Sequence, residues 1–159
     1  MSSDIYIKFD GVKGECKSKG YEEQIEVLAW SWDVSNATGA SAGGGSGRGK
    51  PVPGAFHFTH HYDKASTVLA KNCVAGKHFK DAVVTCRKAG DGQQDYLKVT
   101  MKEVFITSIA PSASAGGEVT ETLSMSFKDI EFAYKAQDNR GALGGEVKFG
   151  WDVATTETR

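Results

Sequence analysis

The sequence has no surplus of positive charge: 19 lysines and arginines stand against 20 aspartates and glutamates, a net charge of -1. A protein that grips a nucleic-acid backbone needs a cation for each phosphate contact, so no nucleic-acid partner is expected. Long apolar runs are also missing. The stretch Val27-Leu28-Ala29-Trp30 is far shorter than the roughly 20 residues that cross a bilayer, so no membrane insertion is expected. The N-terminus, Met1-Ser2-Ser3-Asp4-Ile5, lacks a basic region followed by an apolar one and reads as having no cleavable secretory signal. Cysteine is scarce and odd in number, at positions 16, 73 and 86, with no C-x-x-C. That argues against a disulfide framework and a zinc ribbon, and fits folding in a reducing compartment.

What is present is a period of two. Ile5, Ile7 and Phe9 alternate with Tyr6 and Lys8, as in a strand with one buried face. Phe56 and Phe58 repeat the pattern, as do Val147, Phe149, Trp151 and Val153. At 159 residues, the chain is expected to be one domain, 1–159, with a real core.

Three longer runs change phase once. Ile25 and Val27 give way to Trp30, Trp32 and Val34. Leu97, Val99 and Met101 give way to Val104 and Ile106. Leu123, Met125 and Phe127 give way to Ile130, Phe132 and Tyr134. A β-bulge would do this. So would a strand that serves two sheets, as at a barrel corner. A third reading buries both faces, one inside the domain and one against a neighbouring subunit. Phe105 and Ile109, placed opposite Val104 and Ile106 yet large and apolar, favour that last reading and are candidate interface residues.

One segment has helical spacing: Ala65, Val68, Leu69, Asn72 and Cys73, with Asp63 to cap its start and Gly76 to end it. Gly90 to Gly92, Pro111 to Gly117 and Asp138 to Gly145 read as turns or loops. No internal repeat is evident.

The candidate chemistry is thin. Gly44-x-x-x-x-Gly49-Lys50 nearly matches a phosphate-binding loop, but Pro51 stands where a Ser or Thr hydroxyl is required, and no helix pattern follows. His57, His60 and His61 cluster near Asp63, yet on a strand His57 and His61 share one face while His60 joins Phe56 and Phe58 on the other. They read as surface histidines on an edge strand, not a metal site. Cys73 and Cys86 read as core residues. No carboxylate pair stands out, and Trp30 and Trp32 read as core aromatics rather than a sugar platform. No catalytic residue, metal or cofactor is expected, and the protein is not expected to be an enzyme.

At this point the order of motifs resembles a known family. Asp4-Ile5-Tyr6-Ile7-Lys8, Val12-Lys13-Gly14-Glu15 and Ile25-Glu26-Val27-Leu28-Ala29-Trp30-Ser31-Trp32 come first. Gly76-Lys77-His78, Arg87-Lys88-Ala89-Gly90 and the run from Tyr96 to Val104 follow. Glu121-Thr122-Leu123 with Phe127, and Gly150-Trp151, close the series. The chain resembles, end to end, the haemolysin-coregulated protein (Hcp) family, the tube subunit of type VI secretion. Two departures stand out: Cys16 is where serine is common, and the His57, His60 and His61 cluster lies outside the family pattern.

The resemblance implies a compact barrel of two antiparallel sheets with one short helix at its side, akin to phage tail tubes. It implies homohexameric rings that stack into an exported tube, with a spike protein at the tip, a contractile sheath around it and small effector proteins in its lumen. It also implies bacterial cytoplasm before firing and export without a signal peptide, and with the sequence ending at Arg159 no C-terminal toxin domain is expected. The loop 39–54 would stack on the adjacent ring, with Gly43, Gly44, Gly45, Gly47, Arg48 and Lys50 as candidate contacts. Ser31, small and pointing away from Trp30 and Trp32, is a candidate lumen residue. Thr85, Arg87, Thr100, Ser124 and Ser126 join it by the same alternation. The alternatives are another phage-tail-like tube protein and, from a different class, a β-sandwich carbohydrate-binding module.

Overall fold

The computed structural model describes residues 3–36, 50–88, 94–137 and 143–159. In chain order the elements are β1 (Ser3–Phe9), β2 (Ile25–Glu26), β3 (Ala29–Ser31), β4 (Val34–Asn36), β5 (Pro51–Pro53), β6 (Phe56–His61), α1 (Lys64–Ala75), β7 (Phe79–Lys88), β8 (Asp95–Ser112), β9 (Thr120–Ser126), β10 (Asp129–Gln137), β11 (Leu143–Asp152) and β12 (Glu157–Thr158). The first sheet runs β12-β11-β10-β8-β7-β1-β2, and the second runs β3-β6-β9-β8. Every pairing is antiparallel. A separate small hairpin joins β4 to β5.

The phase changes are sheet crossings. β2 pairs with β1 in the first sheet; then Val27 N–H donates to Ile5 O, Leu28 N–H donates to Thr59 O, and β3 pairs with β6 in the second. β8 pairs with β7 and β10 as far as Val104, then with β9 from Phe105 onward. Its turning point is Glu103, at φ 51°, a left-handed conformation that shifts the side-chain parity by one residue. The third run is two strands, β9 in the second sheet and β10 in the first. Of the three readings of these runs, a chain serving two sheets is the one the pairing bears out. Among the described residues the hydrogen-bond ladder does not close on itself, so the expected barrel is an open one.

The two sheets enclose a single cluster that includes Ile7, Phe9, Ile25, Phe56, Phe58, Val99, Met101, Leu123, Met125 and Ile130. α1 supplies Ala65 and Leu69 to it. The helix is bounded as its sequence demands. The Asp63 side chain accepts from Ala65 N–H, Ser66 completes a capping box, and Gly76 adopts the left-handed conformation, φ 68°. Trp30 and Trp32 pack on the edge of the cluster, Trp30 stacked on Phe56 at 5.4 Å and Trp32 set against Phe132 at 5.3 Å. Val34 does not follow them inward: it lies in β4, exposed, beyond the end of the second sheet. Gly144 and Gly145 are strand residues of β11, not loop.

Candidate functional site

Two surfaces and one buried pair stand out. The first surface is the outer face of the second sheet. Register places Ser31 opposite His57 and His57 opposite Ser124, three neighbours across three strands. Ser124 Oγ and His57 Nδ1 are 2.8 Å apart. In the next row Ala29 faces Thr59 and Thr59 faces Thr122, with the two threonine hydroxyls 3.1 Å apart. Ser126, exposed, continues the β9 row. Small hydroxyl side chains thus cover this face, because alternation sends Phe56, Phe58, Leu123 and Met125 the other way.

The six residues proposed for a lumen wall divide between the two sheets. Ser31, Ser124 and Ser126 share the face just described. Thr85, Arg87 and Thr100 lie on the outer face of the first sheet, across the core from it. Thr85 and Arg87 are moreover buried. The Arg87 guanidinium lies 4.6 Å from the ring centre of Tyr21 and 5.4 Å from that of Tyr6, and donates to Tyr6 Oη at 3.1 Å. Tyr6 and Tyr21 stack 4.3 Å apart, and Tyr21 Oη donates to Asp95. Partial burial pushes the Asp95 carboxyl up. One wall cannot hold both groups.

The second surface was missed by sequence reasoning. Along β10 and β11, Ile130 pairs with Trp151, Phe132 with Phe149 and Tyr134 with Val147, all on the core side of the first sheet. Exposure climbs along this ladder. Ile130 is 0% and Trp151 3% exposed, Phe149 39%, Tyr134 44% and Val147 64%. The hairpin outruns the second sheet, so among the described residues no facing strand lies above these apolar residues of core parity. The signal was the alternation Val147, Phe149, Trp151, but alternation does not tell whether a facing layer exists.

The interface candidates Phe105 and Ile109 do not share a face. A register shift between Ile106 and Ser108 leaves Thr107 unpaired with β9 and flips the following residues. Ile109 therefore sits opposite Leu123 and packs on the chain's own core. Phe105 is half-buried, its ring 5.3 Å from that of His78. The histidines also need a correction. β6 is an interior strand between β3 and β9, and His60 is fully buried, its Nε2 2.9 Å from Glu121 Oε1. His61 is exposed and pairs with Glu118 at 3.0 Å. Each histidine has its own partner, and among the described residues no three metal-ligating side chains converge. Cys86 is buried, which pushes its thiol up and away from nucleophilic use.

Of the stacking-loop candidates, Gly43, Gly44, Gly45, Gly47 and Arg48 lie outside the described residues, while Lys50 is exposed at the foot of β5. The β4–β5 hairpin from which that segment springs is tied at its base, between β3 and β6. Trp32 Nε1 donates to Gly54 O at 3.0 Å, and Gly54 N–H donates to Asp33 O at 2.8 Å.

A sequence model for the family described as type VI secretion system effector, Hcp, matches residues 6–134. The chain belongs to the Hcp family. It is 40% identical over 156 residues to Protein hcp1 of Pseudomonas aeruginosa strain PAO1, covering 96% of each chain. A solved type six secretion system protein superposes with a TM-score of 0.93 at 28% identity, covering 99% of this chain and 100% of that one. Hcp1 from Salmonella typhimurium superposes with a TM-score of 0.84 at 32% identity, covering all of both chains. This Hcp is therefore a structural, secreted component of a type VI secretion system rather than an enzyme. Its surfaces, not a catalytic cleft, are where function lies.

Proposed function

We propose that this Hcp forms closed homohexameric rings as a single tube domain, 1–159, and that the rings stack into the exported inner tube. The observation that carries this reading is the apolar ladder on β10 and β11, left uncovered at Tyr134, Val147 and Phe149. A ring interface is head-to-tail, so this hairpin packs on a different surface of the neighbour. The serine and threonine face of the second sheet, with Ser31, Ser124 and Ser126, forms the lumen wall and meets effector proteins. Thr85, Arg87 and Thr100 are left off that wall by their position on the opposite sheet. The segment 39–54, with Gly43, Gly44, Gly45, Gly47, Arg48 and Lys50, reaches the next ring from the β4–β5 hairpin. The spike protein caps the tube and the contractile sheath surrounds it. The protein waits in the cytoplasm and leaves through the apparatus.

Light scattering behind size exclusion, then negative-stain microscopy, tests the reading. A particle of six 17.0 kDa subunits with a central hole is the expected result. A monomer at micromolar concentration overturns it.

A further inference from the structure

The lumen face of the second sheet carries one titratable side chain at its centre, His57. Its neighbours in the cross-strand rows are Ser31, Ser124, Ala29, Thr59 and Thr122, none of which ionises. Charged groups near it sit at the margins. β3 is followed by Asp33, whose side chain lies against Gly54. At the far end of the β6 row His61 is paired with Glu118. His60 on β6 and Glu121 on β9 point into the core and are paired with each other. Past β9, the second half of β8 offers Phe105, Ser108 and Ala110, with Glu103 where the strand turns. A shallow depression of about 130 Å³ lies beside the ring, lined by Ala29, Trp30, Ser31, His57, Phe58 and Thr59.

The partner of His57 suits both charge states. A serine hydroxyl donates to a neutral Nδ1 and, by rotating, accepts from a protonated one. Ser124 Oγ, at 2.8 Å, therefore holds the ring in one orientation whether or not it is charged. When the Ser124 hydroxyl donates to Nδ1, the neutral ring carries its hydrogen on Nε2, as the protonated ring also does, and Nε2 has no hydrogen-bond partner among the described residues. Protonation changes only the charge behind that donor. A charge-assisted hydrogen bond to a carboxylate is roughly twice as strong as a neutral one.

We propose that His57 is a specificity residue of the cargo wall: it binds carboxylate side chains of protein passengers through Nε2, and holds them more tightly as pH falls. The inference rests on the lumen reading given above. A closed ring repeats the imidazole once per subunit, turning a neutral wall into a cationic one.

The test uses the assembled protein and a short fluorescent oligoglutamate peptide, with oligoglutamine as the uncharged control. Fluorescence anisotropy at about pH 8 and about pH 5.5 brackets the ordinary histidine range. Oligoglutamate is expected to bind about tenfold tighter at the lower pH, consistent with one charge-assisted hydrogen bond. His57→Gln should abolish the pH dependence, and His57→Lys should bind at both values. Light scattering on each variant reports assembly. An unchanged pH dependence in His57→Gln, or none in the parent protein, overturns the inference. Electron-microscopic averages with a gold-labelled peptide separate it from the lumen reading. Label on the outer surface that still requires His57 overturns the lumen reading and with it the cargo role, and leaves the carboxylate contact of His57 standing. Rings in which His57 lines the hole without pH-dependent binding overturn the inference alone.

Discussion

His60 Nε2 lies 2.9 Å from Glu121 Oε1, and both side chains are shut between the two sheets, 0% and 1% exposed. The pair joins β6 to β9 across a register position, His60 opposite Glu121, on the face that otherwise holds Phe58 and Leu123. Such a pair is costly to form and more costly to halve, because the survivor loses both water and its partner.

The first prediction follows from that asymmetry. Glu121→Ala should cost about 1–3 kcal/mol, the usual loss when a buried polar group is left without its hydrogen-bond partner. Replacing both partners with apolar residues, His60→Phe with Glu121→Leu, should recover most of it. Urea unfolding at fixed subunit concentration measures this. A double variant as weak as the single one would show that the pair specifies the fold beyond its own energy.

Val147 and Phe149 should matter to assembly and little to the subunit. Val147 is 64% exposed, so Val147→Glu should change subunit stability by no more than about 0.5 kcal/mol. In a packed interface the same charge is buried without a partner. Light scattering is expected to show loss of the oligomer while circular dichroism keeps the strand signal. An intact hexamer would move the interface elsewhere.

Glu103 holds a backbone conformation that suits glycine, φ 51°. Glu103→Gly should leave stability unchanged or raise it by up to about 1 kcal/mol, whereas Glu103→Val should lower it by about 1–2 kcal/mol. Chemical denaturation separates the two. Equal effects would mean that the turn of β8 between sheets does not depend on this residue's backbone.

Asp63 caps α1, but burial pushes its carboxyl above the ordinary value, against the opposing pull of His60 and the Ala65 N–H. A carboxyl whose value is raised on folding favours the folded state most when protonated. Its contribution is full below the unfolded value and is lost as pH rises through the folded one. Asparagine caps nearly as well and does not ionise. Asp63→Asn should therefore gain on the parent protein as pH rises from about 4 through the mildly acidic range, while Asp63→Ala should lose about 1 kcal/mol at neutral pH. Thermal melts across that range decide it. A parent protein that gains on Asp63→Asn with rising pH would reverse the assignment.

Much of this protein was determined by sequence-local chemistry. Asp63 and Gly76 bound the helix because capping uses groups within a few residues. Alternation placed Ile7, Phe58, Met101 and Leu123 in the core because pleating is a property of the strand itself. The three phase changes marked where the chain leaves one sheet for the other, without saying which of three causes produced them. The motif order carried the family. The tertiary structure decided the rest, because parity along a strand says only that two residues share a face, never what covers it. Thr107 slipped out of register and turned Ile109 onto the core, Glu121 met His60 from 61 residues away, and Tyr6 with Tyr21 roofed over Thr85 and Arg87. Tyr134, Val147 and Phe149 have the same pattern as buried strand residues, yet stand uncovered because the second sheet ends before it reaches them. Whether an apolar face becomes core or contact surface depends on the extent of the layer packed against it, and that is set by strands far away in the chain.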